Sequence, residues 1–200
     1  CFAAQRRDFP VSITVGAHAT HAVGVAHAML YRREANAVVC VFGDGATSKG
    51  DVYEAMNIAG AWRSPVVFVV NINQWAISMP RAAQSAATTL AQKAIAAGIG
   101  GEQVDGNDVI AVRHVVATAL ERARAGGGPH LVECLSYRLG DHTTADDASR
   151  YRDDAEVSPH WKEDPLLRLR TYMTAAWNWA REDEEALQHA CSRAVEEAAA

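Results

Sequence analysis

Two runs of unbroken apolar residues stand out along the chain, Ala37 to Phe42 and Pro65 to Val70. Both are too short to cross a bilayer, and neither alternates with polar residues as a one-faced strand would. They predict buried strands, the pattern of a parallel sheet covered on both sides. Gly43-Asp44-Gly45 stops the first run and Ser64-Pro65 opens the second. Between them Val52, Met56 and Ala59 recur at helical spacing, which predicts a helix over residues 50–61. An Ala- and His-rich stretch upstream predicts another over 16–34.

Downstream, Asn71 to Ser78 reads as a polar turn and Thr88 to Ala97 as an Ala-rich helix. A short strand is expected around Gln103-Val104. Asn107 or Asp108 can then cap a helix over Val109 to Ala125. Gly126-Gly127-Gly128-Pro129 ends that helix, and His130 to Tyr137 reads as a further strand. The polar stretch Arg138 to Val157 is long enough to be a functional loop. Two amphipathic helices, near Asp164–Met173 and Arg181–Ala198, close the chain.

Strands that alternate with helices imply an α/β fold of three layers around a mostly parallel sheet. Residues 1–160 are expected to form that domain and 161–200 a helical extension of it. Ligands on such sheets bind beyond the carboxyl ends of the strands. Three segments fall there: Gly43-Asp44-Gly45, Asn71 to Trp75, and the loop after Tyr137.

Composition narrows the function. The 200 residues are 49% apolar and 22% charged, enough for a proper core. The net charge of −5 argues against a nucleic-acid partner, and no apolar run approaches the length needed to span a bilayer. Cys1, Cys40, Cys134 and Cys191 are widely spaced with no CxxC, which fits a reducing compartment better than a disulfide or zinc framework. The chain opens at Cys1 rather than Met, as a processed chain or a fragment would, and shows no signal-peptide pattern there.

The turn from Gly43 to Gly50, Gly-Asp-Gly-Ala-Thr-Ser-Lys-Gly, is built to offer backbone N–H groups and a positive helix end to a phosphate. It fits neither familiar phosphate motif. The dinucleotide fingerprint needs a third glycine where Ser48 stands and an acid near Arg63, and the P-loop needs Gly-Lys-Ser/Thr where this chain has Ser-Lys-Gly. Asp44 is the odd feature, because a carboxylate in a phosphate cradle repels a bare diphosphate. A divalent cation between them reverses the sign, and magnesium takes such oxygen ligands. A second oxygen ligand is expected at the end of the neighbouring strand, where Asn73 stands one crossover away. Taken singly, each of these residues is also an ordinary turn residue. The ordered pair on successive turns points to a magnesium–diphosphate site.

Gly-Asp-Gly followed about thirty residues later by Asn resembles the thiamine-diphosphate signature. The segments 43–51, 73–80, 104–108 and 137–152 together resemble the alpha subunit of 2-oxo acid dehydrogenases, over residues from about 10 to the C-terminus. Bacterial pyruvate dehydrogenase alpha subunits look most similar, with the branched-chain 2-oxo acid enzymes near behind. The resemblance implies a thiamine-diphosphate-binding fold. It implies that Asp44, the Asn73 side chain and the Trp75 carbonyl hold magnesium, and that Gly43, Gly45 and Ala46 lie at the diphosphate. Val15 falls at the pyrimidine, and His142 reaches the diphosphate and active centre as the candidate catalytic residue.

The implied reaction is oxidative decarboxylation of pyruvate, or of a branched-chain 2-oxo acid. The acyl group passes to a lipoyl group on a dihydrolipoyl acyltransferase. The implied partner is a beta subunit, in an assembly of two alpha and two beta chains. Two departures matter. The family usually carries two adjacent Asn where this chain has Ile72-Asn73. The family's N-terminal segment, which gives a Tyr-Arg pair to the diphosphate, has no counterpart here, so the chain is expected to be incomplete and inactive alone. Ala and Arg richness suggests a bacterial cytoplasm, with the mitochondrial matrix as the alternative.

The remaining residues read more plainly. His18, His21 and His27 lack acid or Cys partners and are expected at a helix or subunit surface. Lys49 reads as solvated or interfacial, and Trp161, Trp177 and Trp179 as packing or interface residues. Thr143, Thr144 and Ser149 read as unmodified polar loop groups. Asp146-Asp147 are expected to pair with Arg150 and Arg152, with Arg138 and Tyr151 anchoring the loop ends. Residues 182–185 read as a solvated, acidic helix start.

Overall fold

The computed structural model describes residues 8, 9 and 13–199. Its helices are α1 (Ala17–Tyr31), α2 (Gly50–Trp62), α3 (Arg81–Gln84), α4 (Lys93–Ala96), α5 (Val109–Arg124), α6 (Asp154–Val157), α7 (Pro165–Trp177) and α8 (Arg181–Ala199). Its strands are β1 (Val38–Gly43), β2 (Val66–Ile72), β3 (Trp75–Ala76), β4 (Met79–Pro80), β5 (Gly100–Asp105) and β6 (His130–Leu135). Four strands form one parallel sheet in the order β1-β2-β6-β5. The expected three-layer α/β architecture is what forms.

The layers follow from side-chain alternation on the sheet. On one face Cys40, Phe42, Val66, Phe68, Val70 and Ile72 pack with Ala19 and Val23 of α1 and with Val52, Met56 and Ala59 of α2. On the other, Val67, Val69, Val132 and Cys134 pack with Ala119 and Ala123 of α5. The apolar run of β1 is buried on one face only. Val39 and Val41 are 44% and 57% exposed, because β1 is the sheet's edge and α5 packs against β2, β5 and β6.

The structure departs from the sequence reading in two local places and sharpens it in two more. The polar turn after β2 contains a short antiparallel hairpin, β3–β4. The Ala-rich helix over 88–97 divides into a 3-10 turn, Leu90–Gln92, and the single turn α4. Its start is fixed from outside, because the Glu133 carboxylate of β6 accepts the Leu90 and Ala91 N–H groups at 2.9 and 2.7 Å. Asp108, not Asn107, caps α5, accepting from the Ile110 and Ala111 N–H groups at 3.0 Å. The expected strand near Val104 runs the full length of β5.

The closing helices form as expected but bury no residue of their own. Trp161 and Trp177 are 58% and 70% exposed. The acidic start of α8 is not simply solvated. Glu184 accepts from Arg170 at 2.6 Å and from the Trp179 indole at 3.0 Å, and the Arg170 bond holds its carboxyl down to about 2.

Burial pushes the Cys40 thiol up to about 12 and also raises that of Cys134, whereas Cys191 is exposed on α8. Thiolate is the reactive form. Alkylation of the native protein near pH 8, read by mass spectrometry, is therefore expected to mark Cys191 and to spare Cys40 and Cys134 until denaturant is added.

Candidate active site

The sheet order puts β1, β2 and β6 side by side, so the three segments after them open on one edge. Gly43 at the end of β1 pairs with Asn71 of β2, and Asn71 pairs with Cys134 of β6. Asp44 and Asn73 thus leave adjacent strands at nearly the same level. Ile72 in place of an asparagine is fully buried in the core. The hydrogen bonding there comes from its backbone and its neighbours. The Ile72 carbonyl accepts the Ser136 N–H at 2.8 Å, and the Ser136 hydroxyl donates to the Asn71 side chain at 3.0 Å.

After β1 the chain turns through a 3-10 segment, Asp44–Ser48, before α2 begins. Asp44, Ala46 and Thr47 are buried. A Cβ on Gly45 would lie 2.8 Å from the Ala76 Cβ, so only glycine lets the β3–β4 hairpin sit this close to the turn. Gly16, with φ +81°, sits against Val52 and Lys49 at the start of α2, which brings the half-exposed Val15 to the same end of the fold.

Asp44 carries the electrostatics. Its side chain is buried, and its Oδ2 has no hydrogen-bond partner among the described residues. Burial pushes the carboxyl above its ordinary value. Hydrogen bonds from its own and the Gly45 backbone, the Gln84 amide and the charge of Arg138 oppose this without cancelling it. A buried carboxylate oxygen with nothing to bond is costly unless a cation or donor meets it.

The other predicted ligands are placed as follows. The Asn73 Oδ1 accepts the Trp75 N–H at 3.0 Å, which folds the chain back toward the turn. The Trp75 carbonyl lies 3.5 Å from an Arg138 Nη, while the same guanidinium donates to the Ile77 carbonyl at 2.9 Å. His142 sits in the loop after β6 with an exposed side chain. Among the described residues its ring bonds none of Asp44, Asn73 or Trp75.

That loop is tied to itself, but not by the expected ion pairs. Arg138 donates to the Tyr151 hydroxyl at 2.6 Å, and that hydroxyl donates to Asp146 at 2.5 Å. Asp146 also accepts the His142 N–H at 2.8 Å, so the network sets the backbone that carries this histidine. Asp147 caps the 3-10 turn Ala148–Arg150 instead of pairing with arginine. Arg152 is buried and bonds the carbonyls of Arg138, Leu139 and Gly140. Carbonyls outcompeted carboxylates because the loop wraps around the guanidinium.

Among the histidines, His18 bonds the Val41 carbonyl at 2.9 Å, His27 packs on Trp62 at 4.5 Å between centroids, and His21 is exposed. Lys49 is about half exposed, near Asp51 at 3.9 Å. The sequence reading missed Lys93. It is buried, with its Nζ 2.8 Å from the Thr47 carbonyl and 4.6 Å from the Tyr53 ring centre. Its position in an Ala-rich stretch gave no signal beyond a lone cation.

The Tyr151 and His142 bonds lower the Asp146 carboxyl from its ordinary 3.8. A lowered folded-state pKa adds stability above the unfolded value that disappears as the pH falls below it. The loop is therefore expected to resist proteolysis at pH 5 and above and to loosen below pH 3.8. Tyr151→Phe is expected to speed cleavage within residues 139–151 severalfold at pH 7 while the melting temperature of the whole protein barely moves.

The family model for the dehydrogenase E1 component matches residues 2–200. The chain is 50% identical over 176 residues to the 3-methyl-2-oxobutanoate dehydrogenase subunit alpha of Mycobacterium tuberculosis, covering 88% of this chain and 48% of that one. It is 48% identical over 176 residues to the pyruvate dehydrogenase E1 component subunit alpha of Staphylococcus aureus, covering 86% and 47%. The protein of the same name in Mycoplasma genitalium is 43% identical over 183 residues, covering 90% and 51%. The chain spans about half the length of these relatives. With a match across nearly every residue, the chain belongs to the dehydrogenase E1 component family.

Proposed function

We propose that the chain is the cofactor-binding part of the alpha subunit of a 2-oxo acid dehydrogenase. That enzyme is an oxidoreductase that decarboxylates a 2-oxo acid and delivers the acyl group to a lipoyl-bearing dihydrolipoyl acyltransferase. Asp44 carries the reading: a buried carboxylate with an unpartnered oxygen, in a glycine turn beside the end of a neighbouring strand. A hard divalent cation fits that oxygen, and the donors at hand are all oxygens. In this reading Asp44, the Asn73 side chain and the Trp75 carbonyl hold magnesium. Gly43, Gly45 and Ala46 face the diphosphate, Val15 the pyrimidine, and His142 approaches from its loop.

Bound thiamine diphosphate supplies the carbanion chemistry. This chain's residues hold and orient it. The close approach of Ala76 to Gly45 fixes the turn, and the Arg138–Tyr151–Asp146 network sets the backbone at His142. A beta subunit completes the site in an assembly of two alpha and two beta chains, in a bacterial cytoplasm. Pyruvate is the first substrate reading, supported by the names of the Staphylococcus and Mycoplasma relatives. A branched-chain 2-oxo acid is the second, favoured by the 50% identity to the Mycobacterium protein. Comparing kcat/KM for pyruvate and 3-methyl-2-oxobutanoate in the assembled enzyme decides between them.

Calorimetry with thiamine diphosphate, Mg2+ and a family beta subunit tests the site itself. Wild-type binding is expected to require the metal. Asp44→Asn is expected to weaken it by more than about 100-fold. The same change is expected to leave the melting temperature of the cofactor-free protein unchanged or raised, because a neutral amide is easier to bury than an unpartnered carboxylate. Assembled wild type that binds no cofactor overturns the reading.

A further inference from the structure

Three carbonyls of the turn after β1 are pinned, and only one of them from outside it. The Thr47 hydroxyl donates to the Asp44 carbonyl at 2.7 Å, and the Lys49 N–H to the Ala46 carbonyl at 3.0 Å. Both are local. The Thr47 carbonyl accepts the Lys93 ammonium at 2.8 Å, from a residue 46 positions away. Each peptide plane is rigid, so holding a carbonyl also aims the N–H on its far side. The three bonds together aim the Gly45, Thr47 and Ser48 N–H groups, and the Lys93 bond sets the last of them.

Lys93 is an expensive way to hold a carbonyl. It is 7% exposed, and no carboxylate lies within ion-pair distance of it among the described residues. Its other neighbour is the face of Tyr53 on α2. The segment that carries it is held in turn by Glu133, whose fully buried carboxylate grips the Leu90 and Ala91 N–H groups. A line of buried charged contacts thus runs from β6 through the start of the Leu90–Ala96 segment to the turn. A buried cation costs free energy unless something nearby is negative. A diphosphate on the turn would be such a partner.

We propose that Lys93 is a positioning residue for the diphosphate turn. Its ammonium holds the Thr47 carbonyl and with it the Ser48 N–H of the same peptide plane, braces the far end of the turn whose Gly45 and Ala46 amides are to face the anion, and places a buried positive charge behind them. Glu133 sets Lys93 by fixing the start of its segment. The proposal rests on the diphosphate reading of the site.

The test uses the full chain assembled with its beta partner, in Lys93→Met and Lys93→Ala forms. Thiamine diphosphate binding with Mg2+ is expected to weaken about 10–100-fold in both, the range for losing one charged hydrogen bond. Propylammonium is expected to restore a measurable part of the affinity to Lys93→Ala and to do nothing for Lys93→Met, whose side chain fills the space. Amide hydrogen exchange without cofactor is expected to quicken at residues 45–48 and to stay unchanged along β2. Unchanged affinity in both variants, or unchanged exchange at 45–48, overturns the proposal. Weakened affinity with no amine rescue, accompanied by faster exchange along β2, reduces Lys93 to a general packing role and overturns it too. Wild type that binds no cofactor overturns the site reading itself, a result separate from any variant's.

Discussion

The parallel pairing of β1, β2 and β6 is the constraint on which the rest of the molecule depends. β2 is hydrogen-bonded on both edges and covered on both faces, and Val66, Val67, Phe68 and Val70 are fully buried. A strand so enclosed has little freedom to slip, because a one-residue shift would turn each side chain to the opposite layer. Fixing β2 fixes its neighbours. Gly43, Asn71 and Cys134 come to one level, and the three segments that leave them have no choice but to meet. The apolar core thereby sets the geometry of a polar site that it meets only at Ala46 and Ile72.

The site works against the fold's general economy. Asp44, Lys93, Glu133 and Arg152 are all charged and all buried. Three of them meet backbone: Lys93 a carbonyl, Glu133 two N–H groups, Arg152 a set of carbonyls. Such bonds satisfy the charge while committing it to one geometry. Two atoms of the four are left over, the Arg152 Nε and the Asp44 Oδ2, and only the latter is a carboxylate oxygen at the glycine turn. A fold that leaves a buried carboxylate oxygen unpartnered at the mouth of a glycine turn has placed an electrostatic deficit where a ligand can meet it.

What the sequence made legible was whatever depends on local chemistry. Apolar runs announced β1 and β2, an Asn or Asp cap announced α5, and Gly-Asp-Gly announced the turn. The division of residues 88–97 was not legible, because Glu133 imposes it from forty-odd residues away and Ala-rich sequence alone favours an unbroken helix. The loop bonding was misread for a related reason. Charge pairing along the chain suggested Asp–Arg contacts, but a guanidinium inside a curled loop meets more carbonyls than carboxylates. The exposure of Val39 and Val41 was equally invisible, since an edge strand and a central one can share the same apolar run.

The contrast between Lys49 and Lys93 shows where motif reading stops. Lys49 stands inside the phosphate-like sequence and points into solvent near Asp51. Lys93 stands in no motif and reaches the turn through the fold. In a P-loop a lysine within the glycine segment meets the phosphates directly. Here the turn carries glycine backbone and the Asp44 carboxylate, and the buried cation sits behind it, bonded to the Thr47 carbonyl. A positive charge in that place cannot compete with a metal ion for the Asp44 oxygen, yet it still favours an anion in front. The proposed reading of the turn, a metal and a diphosphate together, needs that separation: the carboxylate must keep one oxygen free, and the lysine must be occupied elsewhere.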